Sequence, residues 1–500
     1  MILSTCLSSI AFAAFLVFPE GEKNLQGDVK AAYEAYKTQD YAKAVKLFAG
    51  QAAKGDKNAQ FAMGRIYQEG TGVEKADLAV AEDYYRKAAA QGHESAQFNL
   101  AAILLSDQAR VLEGLKLLKD SAAAGSAKAQ LTLGQLYANG QGVTQNFETA
   151  KTYFDQAAAK GEADAFVMLG QMSELGKGAT KDMKKAVEQY ENAAKRDSIQ
   201  AILKLASIYA NGVEGVDKNI AKAKEWLEIG SEKEKEGASA TLNLGLLMEA
   251  IEKKPTEAFA LYKKAADKGD VTGMLKVAGM LTDGVGVDKK DPKEAFTWYE
   301  KAAKAGAPAG MYALSVAYDK GEGVAASPKD SKNWLINAAV GGFAPAMRTL
   351  GENYRDGKGV FKDILASITW LQKALNGGDG QAAMILSDML EKGEDLPRDM
   401  KTSNALLTQV AQAGSAEAQV RLANNTAAGL GTPADLIRSY ALLLAAGDYE
   451  PAKAKRAELA KKLSKGQLAE AEKEFERMKN KPAGEAAAPA AGDKPKTETK

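Results

Sequence analysis

Between residues 57 and 448 the small and apolar residues recur at helical spacing, in short blocks separated by glycine-bearing breaks. One block reads Ala-x3-Leu/Met-Gly-x2-Tyr, as in Ala129, Leu133, Gly134 and Tyr137. Residues three and four apart share one face of a helix, so this spacing predicts an amphipathic helix and not a strand. The next block reads Lys-x-Ala-x2-Trp/Tyr-x3-Ala-Ala-x2-Gly and predicts a second helix. Asp291-Pro292-Lys293-Glu294 marks its start, with Asp as N-cap, Pro at the first helical position and Glu at the third. Ser327-Pro328-Lys329-Asp330 does much the same, and Gly92, Gly125, Gly161, Gly269, Gly306 and Gly414 mark its end.

The break between the two helices is a glycine loop. It recurs as Gly70-Thr71-Gly72-Val73, Gly140-Gln141-Gly142-Val143, Gly176-Lys177-Gly178-Ala179, Gly284-Val285-Gly286-Val287, Gly321-Glu322-Gly323-Val324 and Gly357-Lys358-Gly359-Val360. Looser copies start at Gly212, Gly393 and Gly429. The loops repeat at a period of 36 or 37 residues, except where shortened copies through 96–126 and 240–270 have lost their glycines. A glycine in the middle of the first helix costs about 1 kcal/mol against alanine. Its recurrence implies a gain in each unit, namely close approach of a neighbouring helix that a side chain would block.

This pattern resembles the Sel-one-like repeat, a relative of the tetratricopeptide repeat. Its best copy runs from Gly284 to Gly306, with Ala295, Trp298, Tyr299, Lys301, Ala302 and Ala303 in place. The resemblance covers residues 57–448 and implies an all-α, α/α superhelical solenoid of about twelve helix-turn-helix repeats, in which each pair buries its faces only by stacking on the next. Residues 26–56 read as a shorter, tetratricopeptide-like first pair. Residues 449–480 read as C-terminal capping helices. In these, Ser464-Lys465-Gly466-Gln467 is a capping box, and Leu468, Ala471 and Phe475 face inward. From 481 to 500, Ala, Pro, Gly, Lys and Thr dominate without an apolar period, which reads as a disordered tail.

Residues 2–18 carry no charge and end at Pro19-Glu20. They resemble the apolar core of a secretory signal, with Ala11-Phe12-Ala13 as a cleavage site. An uncleaved N-terminal anchor within residues 1–25 is the rival, because no Lys or Arg precedes the run and Phe15 to Phe18 lie beyond the cut. Either reading places the chain outside the cytoplasm: periplasmic, extracellular or membrane-anchored.

Composition narrows the chemistry. Lys and Arg total 66 against 65 Asp and Glu, a balance that lacks the basic footprint of nucleic-acid binding. There is one cysteine, Cys6, and one histidine, His93, so zinc sets and internal disulfides have no material. His93 follows Gly92 and reads as a solvated turn residue. The glycine loops lack the strand and the Lys-Ser/Thr pair of a phosphate loop. Trp226, Trp298, Trp334 and Trp370 each lie four residues before a small residue and read as packing, large against small. Asp182, Asp217, Asp288 and Asp363 follow the loops and read as residues that cap or precede the second helix. No catalytic residue, cofactor or metal ligand is predicted.

By resemblance to tetratricopeptide arrays, the first helix of each unit lines a concave wall. Its exposed positions are Arg65, Gln68, Glu69, Gln135, Asn139, Gln171, Glu174, Asn211, Asp283, Asp319, Lys320, Glu352, Arg355, Asp356, Asp388, Glu391 and Lys392. They are polar and differ from unit to unit, as a specific binding surface would. The expected function is a non-enzymatic scaffold or adaptor holding a protein partner along this wall. A cell-envelope glycan binder or regulator of a cell-wall enzyme is the alternative. A hydrolase is a distant third: some cysteine-rich exported relatives are linked to β-lactam hydrolysis, but their paired cysteines are missing here.

Overall fold

The computed structural model describes residues 26–234 and 237–480. The segment 1–25 with Cys6 and the tail 481–500, each given a role above, lie outside the described residues. The described residues form 26 α-helices and no β-strand, an all-α helical-repeat solenoid. The helices pair in chain order, from Gly27–Lys37 with Tyr41–Ala53 to Ala416–Ala428 with Leu436–Ala445. Two single helices follow, Glu450–Ala460 and Lys465–Asn480. Two compact units divide the chain, one ending at Ile251 and the other starting at Glu252.

Local chemistry sets the ends of each helix. Asp77, Asn146, Asp182, Asp291 and Asp363 cap second helices by accepting a backbone N–H from the first turn. Asp217 and Asp288 precede the second helix, whose caps are Asn219 and Asp291. First helices end on a left-handed glycine, as at Gly140 with φ 69°. The second glycine of the loop has a separate task. At Gly72 (φ 74°) an added Cβ would lie 2.6 Å from the Cβ of Tyr41, and at Gly431 (φ 71°) 2.6 Å from the carbonyl of Met400. Tyr41 and Met400 each begin the second helix of the preceding pair, so this glycine is where successive units touch.

The core is built on paired sizes. In ten of the twelve pairs the eighth residue of the first helix is small, and the eighth residue of the second helix is large; the exceptions are Glu34 and Leu246. A Cβ on Gly64, Gly134 or Gly170 would lie 2.6, 2.5 or 2.6 Å from the ring of Tyr85, Phe154 or Tyr190, and all three rings are buried. This is the gain that offsets the helix-propensity cost of the glycine. Where the first helix carries Ala206, Ser387 or Ala423 instead, the second carries Leu227, Leu407 or Leu443 at the matching place, each buried. The pair Ala278 and Tyr299 breaks this rule: Tyr299 is only half-buried, and Trp298 beside it takes the buried place. The reading of all four tryptophans as core is therefore corrected. Trp226, Trp334 and Trp370 are half-buried, and Leu227, Leu335 and Leu371, one residue on, fill the core.

His93 also departs from its reading as a solvated turn. It is 3% exposed and caps the helix Glu94–Ser106. Its Nδ1 accepts the Ala96 N–H at 3.2 Å, and its ring stacks on Phe61 at 4.4 Å.

The shortened copies replace their lost glycines in two ways. Glu94–Ser106 and Val111–Ala123 are joined by a brief turn, and ion pairs tie this hairpin to its predecessor. Arg110 bonds Glu82 at 2.8 Å and Asp107 at 2.7 Å, while Arg86 bonds Glu82 at 2.8 Å and Glu113 at 2.6 Å. Burial pushes the Glu82 carboxyl up, but the two guanidiniums outweigh it and hold it below the usual range. A depressed carboxylate stabilises above its unfolded pKa and loses that contribution as pH falls through its folded one. Amides of Val111–Ala123 should therefore show lower protection, taken against the intrinsic exchange rate at each pH, at pH 3 than at neutral pH, and lower protection in Arg110→Ala at neutral pH. Solvent screening keeps the effect small, about two- to fivefold in protection, read by hydrogen exchange. In the other copy, Ser239–Leu247 runs into a π-helical turn, Met248–Glu252. Lys253 then adopts φ 57°, the left-handed turn that glycine makes elsewhere.

The final helix opens on the predicted capping box: Gln467 Oε1 accepts the Ser464 N–H at 3.0 Å, and the Gln467 N–H donates to Ser464 Oγ at 3.4 Å. Ala471 is buried, and Leu468 and Phe475 are half-buried.

Candidate functional site

The first helices hold the polar positions singled out above, and many of these bond to their own scaffold. In the N-terminal unit Arg65 is 6% exposed and ion-paired with Glu69. Gln68 accepts the Tyr85 hydroxyl at 2.6 Å, and Glu69 accepts that of Tyr36 at 3.3 Å. Glu174 accepts the Tyr190 hydroxyl at 2.7 Å and pairs with Lys204 at 2.8 Å. Burial, reinforced by Glu174, raises the Tyr190 phenol above its ordinary range. Gln135 and Gln171 are half-buried, and Asn139 is exposed. Asn211 is exposed and donates to the Ser207 carbonyl at 2.9 Å.

In the C-terminal unit Asp283 is exposed beside Tyr299. Asp319 pairs with Lys358 at 3.4 Å, Lys320 with Glu322 at 4.0 Å, and Glu352 with Arg348 at 3.6 Å. Glu391 is the centre of a network. It takes Arg421 at 2.8 Å, Asn425 at 3.0 Å and Ser403 at 2.9 Å, and Asn425 in turn donates to Asn404 at 2.9 Å. Burial pushes the Glu391 carboxyl up, but the hydrogen bonds from Arg421, Asn425 and Ser403 prevail and hold it below the usual range.

Lys204 and Arg421 stand at the sixth place of their helices, and Glu174 and Glu391 at the twelfth place of the helix one unit earlier. The same pair of places thus fixes neighbouring units to each other twice. Sequence reasoning missed Arg421, Lys204, Asn425 and Asn404. The available signal was charge complementarity at the twelfth and sixth places of successive first helices.

Four of the predicted residues converge. Arg355 and Asp356, at the end of Ala344–Asp356, and Asp388 and Lys392, on Gly380–Lys392, line one cleft of about 520 Å³. Met389 is buried among them, and the loop residues Lys362, Glu394 and Asp395 complete the walls. Arg355 bonds Asp356 at 2.7 Å, Lys392 bonds Asp388 at 2.8 Å, and Lys362 bonds Asp395 at 2.8 Å. The hydrogen bond from Arg355 holds the Asp356 carboxyl below its usual range, and the bond that the Lys392 ammonium donates to Asp388 raises the Lys392 pKa. Asp356 and Lys392 therefore stay ionised around neutral pH. Next to Lys362 in sequence stands Phe361, 96% exposed, and Leu365 in the following helical turn is 77% exposed. Sequence reasoning passed over both, because the repeat carries Thr144 or Ala325 where Phe361 stands. The arrangement offers a polar rim with an apolar projection beside it. Among the described residues no group of His, Cys, Asp and Glu is gathered to hold a metal, and no helix is long and apolar enough to cross a membrane.

The Sel1 repeat family model matches ten segments: residues 57–93, 127–162, 163–198, 199–234, 238–270, 271–306, 308–342, 344–379, 380–415 and 416–448, together more than half of the chain. The chain is a Sel1 repeat protein. The pair at 94–126, with its abbreviated loop, goes unmatched between the first two segments, while 238–270 matches despite its π-helical turn. Proteins of the Sel1 repeat family are typically protein-interaction scaffolds. Comparison with the curated proteins gives no match. Among solved structures, a protective antigen of uropathogenic Escherichia coli strains displaying an SLR fold is 26% identical, with 90% of this chain and 99% of that one covered at a TM-score of 0.49. A Sel1 repeat protein from Oxalobacter formigenes is 29% identical, covering 48% and 96% at 0.38. Yeast Tom70 is 14% identical, covering 91% and 96% at 0.36.

Proposed function

We propose that this Sel1 repeat protein is a non-catalytic adaptor that holds a segment of a protein partner against the first helices of its C-terminal unit. The observation that carries the reading is Phe361, fully exposed beside the cleft of Arg355, Asp356, Asp388 and Lys392. Binding energy at protein interfaces concentrates in a few aromatic and arginine anchors ringed by polar residues. A ring held in water by the loop of a well-packed repeat has that form. The internally paired charges of the rim suit a partner of mixed charge, and they favour orientation over raw affinity. The apolar run at residues 2–18 supports a place for the adaptor in the cell envelope or outside the cell.

The test is capture from envelope extract on immobilised full-length chain, native beside Phe361→Ser and beside Arg355→Glu with Lys392→Glu. The expected result is a discrete protein enriched on the native chain and reduced about tenfold or more on both variants, a loss of roughly 1.4 kcal/mol. Phe361 makes no contribution to the core, so the serine variant keeps its fold. Equal capture by all three chains would overturn the assignment.

A further inference from the structure

The last repeat departs from the rule of its own scaffold. Tyr67, Tyr137, Tyr209, Tyr318 and Tyr354 hold the eleventh place of their first helices, and Thr426 holds it in Ala416–Ala428. Around Tyr209 the surface between the loop and the preceding second helix is a cleft of about 410 Å³, with Lys222 over the ring at 5.0 Å. Around Thr426 the same place opens to about 620 Å³. Thr426 is itself 4% exposed, and among the described residues its hydroxyl has no partner. Ser173, at the eleventh place of another unit, donates its hydroxyl proton to the Leu169 carbonyl at 3.0 Å, which leaves it no proton for a ligand.

The remaining walls carry free hydrogen-bonding capacity of both kinds. Asp435 uses Oδ1 to cap the helix Leu436–Ala445 and has Oδ2 to spare. Gln467 accepts from Ser464 through Oε1, which leaves its amide N–H groups. Arg438 lines the cleft and pairs with no carboxylate among the described residues. The charges of Asp435 and Arg438 cancel, so the cleft selects a neutral ligand. Its apolar wall is aliphatic, from Leu422, Pro433 and Ile437, with no aromatic slot for the side-chain anchor of a peptide. A ligand with a hydroxyl edge and an aliphatic C–H face satisfies both walls, and the volume lies within the range of small-molecule sites.

We propose that this cleft binds a neutral saccharide unit, with Thr426, Asp435, Arg438 and Gln467 bonding its hydroxyl edge. It shares no residue with the cleft beside Phe361 and goes beyond the adaptor reading. The test uses full-length chain with N-acetylglucosamine, glucose and maltose as probes, and a neutral tri-alanine amide as control, read by ligand-observed NMR and titration calorimetry. The expected result is binding of at least one saccharide with a Kd on the order of 1 mM or tighter. Thr426→Tyr, which installs the residue that five other repeats carry at this place, should abolish that binding without lowering the melting temperature. Asp435 and Arg438 stay untouched in this variant, so a change in the fold would show separately in its melting curve. Binding of no saccharide, binding of the peptide alone, or saccharide binding unchanged in a folded Thr426→Tyr chain would each overturn the proposal. Partner capture should be the same for native and Thr426→Tyr chains, which keeps the fate of this site separate from that of the adaptor surface.

Discussion

Gly134→Ala destabilises its repeat, and Phe154→Leu in the same chain recovers most of the loss. The added methyl would lie 2.5 Å from a ring carbon of Phe154, which is 1% exposed and has nowhere to move. Overpacking of this kind costs about 1–3 kcal/mol. The better helix propensity of alanine returns about 1 kcal/mol, leaving a net loss of up to about 2 kcal/mol. Phe154→Leu alone opens a cavity and also destabilises, by about 1–2 kcal/mol. Together the two changes recreate the pairing already present at Ala206 with Leu227 and Ala423 with Leu443. The double variant should therefore be more stable than the sum of the singles by at least about 1 kcal/mol, read by urea titration and by hydrogen exchange across 127–159. Additive losses would mean that the glycine is not there to seat the ring.

Glu391→Ala should cost more, about 2–4 kcal/mol, because it strips the acceptor from Arg421, Asn425 and Ser403 at once. Asn425 and Ser403 are buried, so water cannot take over for them. Glu391→Gln keeps an acceptor oxygen and should lose about half as much. The carboxyl is held below its usual range, so its contribution is complete above the unfolded pKa and declines as pH falls through the folded one. The native chain should lose stability below about pH 4.5, and Glu391→Gln should lose less over the same window because its other depressed carboxylates, Glu82 among them, still titrate, as read by thermal unfolding of matched samples.

The repeat fold was legible because its punctuation is chemical: a left-handed glycine, a capping Asp or Asn, and small residues at fixed places. Gly134 and Phe154 show the limit of that legibility. The spacing said that something must approach the glycine, and only the three-dimensional pairing showed that it is the ring one residue after the conspicuous Tyr153. The same offset of one residue placed Leu227, Leu335 and Leu371 in the core and left three tryptophans at its edge. His93 was misread because a histidine after Gly92 has no sequence mark of being a cap packed on Phe61. The candidate surface was legible only in part. Arg355, Asp356, Asp388 and Lys392 meet, because they end successive first helices. Glu174, Gln68 and Glu391 face inward to bonds with their neighbours, and polarity alone does not separate a residue that binds a partner from one that aligns two repeats.

The most direct measurement is hydrogen exchange of the full-length chain alone and saturated with the captured partner. Slowed exchange concentrated in residues 353–363 and 386–395, absent in Phe361→Ser, is the predicted result. Protection confined to the outer second helices, or protection that survives Phe361→Ser, would contradict an adaptor that works through this cleft.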